Sequence, residues 1–426
     1  MKFRIMNNNN KLLLSIIFYL TSIYTFSQAY HTQAISDDIY TVQVNKNNDW
    51  SSYPIIALNG NDYLHISFDR ISEDSMNRLR YRIIHCDAYW KRSSGISEID
   101  YLSGFNDNPI DDYASSLNTT VEYTHFAINI PNNDVNVKLS GNYVVEVYED
   151  GTPDEVLLTA CFSVVDSQVS IASSITSNTD IDTNKGHQQL SFSILHQNLN
   201  IRDPFTELKI FAWQNNRLDT ERHQIKPTYV SSDRLIYEHN RNLIFEAGNE
   251  YRRFETSSYR YNGLNVEHIE YNRPNYTMYI VPDKIRAGRS YSYDQDQNGR
   301  FYIRSNDTND SEVESDYFNT VFTLPMDSPI GEDIFINGNF TDNNFTDKYR
   351  MVYDEEHRQY YIALLLKQGL YNYQYLTKSG ASYSTAKIEG NYFETENEYQ
   401  IFVYYRPSGQ RYDSLIGIQN IQSRSK

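Results

Sequence analysis

The chain has 426 residues, a formal net charge of −17 at pH 7, 38 Tyr, 20 Phe, three Trp and two Cys. An acidic balance of that size with no basic cluster argues against nucleic acid as a partner, and two cysteines cannot build the staple framework of a small secreted domain. With only 17 Gly and 11 Pro beside so many aromatics, the composition favours strands over disorder.

Lys2, Arg4 and Lys11 precede an apolar run over 12–26, and Ser27, Gln28 and Ala29 put small residues at both ends of a cleavage triplet. The run of about 15 residues falls short of the ~20 that cross a bilayer as a helix. Residues 1–29 therefore read as a signal peptide rather than an anchor. No later segment comes near a membrane span, so the mature chain is expected to start near Tyr30 and to be exported, soluble and not inserted in a membrane. Loss of the three leader cations takes its charge to about −20. The remaining length exceeds what one core can serve and implies two to four domains.

Period-two alternation marks strands over 40–44, 63–68, 81–84, 123–130, 143–148 and 157–165. Asn59-Gly60, Ser140-Gly141 and Asp150-Gly151 supply turns at the spacing of an antiparallel sandwich. Between these strands lies 97–113, which reads as neither strand nor helix. Tyr101, Leu102 and Phe105 bring large apolar surface, while Gly104, the run Asn106-Asp107-Asn108-Pro109 and the pair Asp111-Asp112 forbid regular structure. Such a loop is either pinned to its own domain or kept for a partner. Tyr89-Trp90-Lys91-Arg92 offers a second aromatic and cationic loop. The residues expected to meet a partner are Trp90, Tyr101, Phe105, Asn106, Asn108, Asp111, Asp112 and Tyr113, since rigid aromatics concentrate binding energy.

A boundary is expected at Asp166-Ser167, followed by a polar run over 173–186. Strands follow at 189–195, 208–213 and 276–281, then a hairpin over 291–303 turning at Asn298-Gly299. A strand over 317–324 ends at Pro325, and 326–332, with Pro329 and Gly331, reads as a linker. Strands at 334–340, 360–366, 370–376 and 399–405 complete a third unit. With no long amphipathic helix and no βαβ rhythm, the fold class is all-β: tandem antiparallel β-sandwich domains over 30–166, 167–325 and 326–426.

Little in this pattern carries chemistry. Asp294, Asp296, Asn298 and Gly299 open like a calcium loop, but Ser305 stands where a bidentate Glu is needed, so a hairpin tip is expected and no metal. His85 and Cys86 are neighbours on a strand and point to opposite faces, so they cannot act as a nucleophile pair. No Gly-x-Ser-x-Gly elbow, zinc-binding helix or phosphate-binding glycine loop occurs. No catalytic residue, cofactor or enzymatic activity is therefore expected. Spacing leaves Cys86 and Cys161 open between a bridge and two buried thiols.

Two resemblances extend this reading. Ile336 to Phe340, Gly369 to Tyr375 and Glu389-Gly390-Asn391 resemble the immunoglobulin-like early-set sandwiches that include glycogen-binding modules, although the exposed tryptophans of those sugar binders are missing. More extensively, the chain resembles the type IX secretion plug proteins. The motifs are Tyr81 to Trp90, Ser97 to Ile110, Tyr123 to His125, Leu139 to Val144 and Val147 to Gly151, then Gly248 to Glu255, Asp296 to Arg304, and Glu314 to Tyr317 leading into Thr323 to Pro325. That resemblance implies a periplasmic protein, monomeric when free. It also implies a seat in the periplasmic mouth of a very large outer-membrane β-barrel translocon while no substrate is in transit. The competing readings are a periplasmic glycan-binding or scaffold protein built on the third sandwich, and a hydrolase with an unrecognised site.

Overall fold

The structure is a computed structural model that describes residues 29–72, 78–197 and 199–423; the expected signal peptide lies outside the described residues. Among them, α-helix is confined to one-turn pieces such as Glu98–Tyr101 and Pro204–Glu207. Apart from a few three-residue 3-10 turns, the rest of the regular structure is strand, in several mostly antiparallel sheets.

The first unit is a sandwich. A six-stranded sheet runs in the order Gln33–Ala34, Val156–Val165, Gly141–Glu149, Leu79–Cys86 and Asn108–Pro109, with Ile55–Ala57 parallel to Val156–Val165. A four-stranded sheet of Ile39–Lys46, Leu64–Arg70, Thr124–Ile130 and Asp112–Ser115 faces it. Alternate residues Tyr81, Ile83, Tyr143, Val145, Val147, Ala160 and Phe162 fill the core between them. The centre of the larger sheet is buried on its outer face too, where Ile84, Cys86, Val144 and Cys161 lie under Tyr30 and Trp90. This two-sided burial leaves successive residues of Val156–Val165 buried, beyond the period-two alternation its sequence predicts.

Cys86 and Cys161 are free, buried thiols. They sit on the two strands flanking Gly141–Glu149. Their partners on that strand, Asn142 and Val144, are two residues apart, so two strand spacings of ~4.7–4.9 Å across and ~7 Å along put the Cα atoms about 12 Å apart, beyond the reach of a disulfide.

The rest of the chain does not fall into sequential blocks. His187–Leu195 and its neighbours pack against a sheet made of Leu208–Gln214, Glu398–Tyr405 and Ser414–Gln422. This second unit therefore closes only with the last strands of the chain. Inserted within it, a third unit runs from Arg252 to Ile388 around Phe254, Phe322, Ile336, Tyr371 and Tyr375. The expected break at 325/326 cuts through that single core: Phe322 and Leu324 on one side pack with Ile334 and Ile336 on the other, and Met326 and Ile330 pack against the same cluster. Pro329 and Gly331 mark a local turn, which sequence alone cannot tell from a domain linker.

Two smaller expectations also change. Ser170–Thr176 is an edge strand, so the polar run begins inside a sheet. The hairpin over 291–303 does not form. Asn298 and Gly299 do turn with φ of 51° and 86°, but Phe301–Ile303 pairs with Gly369–Ser379 instead of folding back.

Buried polar contacts join the units. Asp69 of the first unit accepts from Lys367 Nζ and from the Tyr317 hydroxyl, both at 2.6 Å and both from the inserted unit, while His125 Nδ1 lies 2.6 Å from its other oxygen. Burial pushes the Asp69 carboxyl up, but the Lys367 ammonium and His125 outweigh it and hold the group below its ordinary value. Asp316 accepts from the amides of Thr120 and Val121, at 2.9 and 3.2 Å. Between the first and second units, Tyr404 donates to Asn142 at 2.8 Å. Asp413 accepts from Ala88 N at 3.0 Å and Lys209 Nζ at 2.7 Å.

Candidate partner surface

The loop over 97–113 crosses from one end of the six-stranded sheet to the edge of the four-stranded one, and its residues have different fates. The Asp100 carboxylate accepts from Ser97 N at 2.8 Å and Ser97 Oγ at 2.9 Å, which starts the one-turn helix Glu98–Tyr101. Tyr101 then turns inward, its ring beside those of His85 and Tyr143 and its hydroxyl donating to Ile83 O at 3.3 Å. Leu102 enters the same core, and Leu102–Gly104 pairs with Val135–Val137. His85 is buried too, held between Ser93 Oγ at 2.8 Å and Ser140 O at 3.3 Å, and burial pushes its imidazole down to about 4. Cys86 faces the opposite side, among Ile84 and Val144.

Gly104 reverses the chain at φ +94°, where a Cβ would lie 1.9 Å from Asp134 O. The side chain that follows, Phe105, is 79% exposed. Asn106 then pins the loop by bonding Ile83 with both ends of its amide: Oδ1 accepts from Ile83 N at 2.7 Å and Nδ2 donates to Ile83 O at 3.0 Å. The side chain thus continues the ladder where no strand follows. Asp107 accepts from Arg80 Nε at 2.6 Å and from the Tyr148 hydroxyl at 2.8 Å. Asn108 is buried, donating to Phe105 O at 2.8 Å, and Ile110 returns to the core. Asp111, Asp112 and Tyr113 face outward, with Tyr113 62% exposed. Among the described residues, Asp112–Ser115 is an edge strand that pairs only with Thr124–Ile130.

Of the residues expected to meet a partner, Phe105, Asp111, Asp112 and Tyr113 are presented to solvent and Asn106 positions them. Tyr101 and Asn108 point into their own sandwich and are withdrawn as contacts, because the core and the Phe105 carbonyl already occupy them. Trp90 is also withdrawn from this surface. It is half-buried where the first and second units meet, against Ala88, Phe211 and Phe402, and it lines a pocket that no residue of the 97–113 loop reaches. Ile99, 79% exposed on the short helix, and Leu117, 54% exposed, are further apolar side chains presented to solvent beside this loop. The only local signal for Ile99 is an isolated apolar residue between Glu98 and Asp100.

Among the described residues no group of acidic, histidine or cysteine side chains could hold a metal ion, and no helix is long and apolar enough to cross a membrane. Asp296 serves the backbone, accepting from the amides of Tyr251 and, at 3.0 Å, Asn298. Glu389, within one of the segments resembling glycogen-binding modules, is buried in ion pairs with Arg252 and Arg286 at 2.9 and 2.6 Å.

Residues 39–166 match the family model described as the type 9 secretion system plug protein first domain. The whole fold is similar to the crystal structure of a hypothetical protein from Parabacteroides merdae ATCC 43184. The TM-score is 0.91 at 44% identity, covering 93% of this chain and 100% of that one. No curated protein matches.

Proposed function

The chain belongs to the type 9 secretion system plug protein family, and from that premise we propose that it occludes the periplasmic mouth of a large outer-membrane β-barrel translocon when no substrate is in transit. A barrel wide enough for folded cargo leaves an aqueous channel that something must close. The observation that carries the reading is the family match over the first unit, the unit that presents Phe105, Asp111, Asp112 and Tyr113. The buried Asp69–Lys367 and Asp316 contacts support it, because a plug must resist deformation across its units. In this reading the protein works in the periplasm by binding and blocking, without catalysis.

The test is to tag the mature protein and purify it from its native envelope. Co-purification of a large outer-membrane barrel, together with increased outer-membrane permeability to small dyes when the gene is deleted, is the expected result. A protein that purifies alone and whose loss leaves permeability unchanged would overturn the reading.

A further inference from the structure

The second unit carries an edge strand that is left open. Among the described residues, Ser170–Thr176 pairs only with His187–Leu195, in one unbroken register over seven residues. Its entry is fixed, because the amides of Gln168 and Val169 donate to Ile416 O at 2.8 and 3.3 Å. From Ser170 to Thr176 the outward backbone groups meet no backbone partner among the described residues. Proteins blunt such edges with charge, proline, bulges or short length. Other edges of this chain show those devices. Asp112–Ser115 has four residues and starts on an acid, Val266–Asn272 carries Glu267, Glu270 and a break in register, and Val352–Asp354 has three residues. Ser170–Thr176 shows none of them. In a chain of net charge −17, no residue from 167 to 179 is charged, and the neighbouring His187–Leu195 holds no acid, lysine or arginine.

This edge is also its own complement. Read outward from Ser173, Ala172 matches Ser174 in size, Ile171 matches Ile175, and Ser170 matches Thr176. Ile171 and Ile175 pack on the core of the second unit, whereas Ser170, Ala172, Ser174 and Thr176 face solvent. A two-fold axis at Ser173 therefore sets isoleucine against isoleucine, small residue against small residue and hydroxyl against hydroxyl in an antiparallel pair. An isologous contact demands such self-complementarity, and the strand of a foreign protein does not. The acidic balance of the chain repels a second copy in general, and an uncharged edge is where that repulsion is least.

We propose that Ser170–Thr176 pairs antiparallel with the same strand of a second copy, about a two-fold axis at Ser173, so that the two second-unit sheets join into one. The free protein is then a monomer–dimer equilibrium, where the family resemblance implies a monomer. The contact runs along ~24 Å of strand, at the small end of specific interfaces, so the dimer is a weak one. It lies on the second unit and does not depend on the surface assigned to the barrel.

Sedimentation equilibrium of the full mature protein, over a concentration series up to ~0.5 mM, should show monomer and dimer in exchange. Ala172→Glu combined with Ser174→Glu sets like charges opposite one another in both cross-strand pairs, from solvent-facing positions. That variant should associate about tenfold more weakly or worse, with a melting temperature close to the wild type. Ala172→Lys combined with Ser174→Lys should behave the same way. Mixed in equal amounts, the two variants should associate again, at least as tightly as the wild type, because each pair then joins opposite charges. A protein that stays monomeric throughout the series, a folded Glu variant that associates like the wild type, or a mixture that does not recover association would overturn the proposal and leave this edge to solvent or to a strand of another protein.

Discussion

Replacing Lys367 by Met tests how firmly the first unit is joined to the inserted one. The substitution leaves Asp69, itself fully buried, with only the Tyr317 hydroxyl and His125. Breaking a buried ion pair from one side costs 3–5 kcal/mol, and the two surviving bonds argue for the lower end, about 3 kcal/mol. At about 2.1 cal/mol/K per residue, a chain of this length unfolds with an entropy near 0.8 kcal/mol/K, so the melting temperature should fall by about 4 °C. The double variant Lys367→Met with Asp69→Asn should recover most of the loss, because no charge is then left stranded. Calorimetry of the wild type and both variants measures this. The pH dependence has a definite sign. The Asp69 carboxyl is depressed in the fold, so its stabilisation is present above the unfolded value of about 3.9 and is lost as pH falls below it. The double variant should therefore show a shallower acid transition. A Lys367→Met protein that melts with the wild type, or a double variant less stable than the single one, would refute the reasoning.

Further expectations concern the first unit. His85 is held neutral down to about 4 by burial, whereas an unfolded histidine takes up a proton near 6.5. Stability should therefore fall by up to roughly 3 kcal/mol as pH drops from 6.5 to 4, a slope that denaturant titrations should find reduced in His85→Gln. Gly104→Ala forces a Cβ against Asp134 O and should cost about 2 kcal/mol or more. Gly151→Ala, at a similar φ but with nothing within 4 Å, should cost only the backbone strain; thermal melts separate the two. Both thiols should resist alkylation in the folded protein, their pKa values raised by burial, and both should react in denaturant without reductant. A mass corresponding to a bridged pair would contradict the geometry.

Much of the strand content was legible because period two survives where one face of a sheet is buried, as in Thr124–Ile130, whereas a register shift between Tyr40 and Gln43 breaks it in Ile39–Lys46. Pairing across long separations was not. Nothing near Leu208–Gln214 says that its neighbour is Glu398–Tyr405, so the inserted third unit looked like the second half of a sequential array. The 97–113 loop was half legible. Its irregularity and aromatic content stand in the sequence, but Tyr101 and Phe105 look equivalent there. What separates them is the pairing of Leu102–Gly104 with Val135–Val137 and the left-handed turn at Gly104, both set by residues about thirty positions away. Trp90 read as a surface anchor because its cover comes from the second unit, far along the chain.

We propose that the protein docks on the barrel through the outward face of the 97–113 loop. A photo-crosslinking phenylalanine analogue placed at position 105, in cells that secrete normally, tests it most directly, with the same analogue at Tyr361, on the inserted unit, as comparison. Position 105 should crosslink to the large outer-membrane barrel, and Asp111→Asn with Asp112→Asn should weaken that product while the melting temperature stays unchanged. Crosslinking to the barrel from Tyr361 but not from position 105 would contradict the account and move the docking surface to the inserted unit.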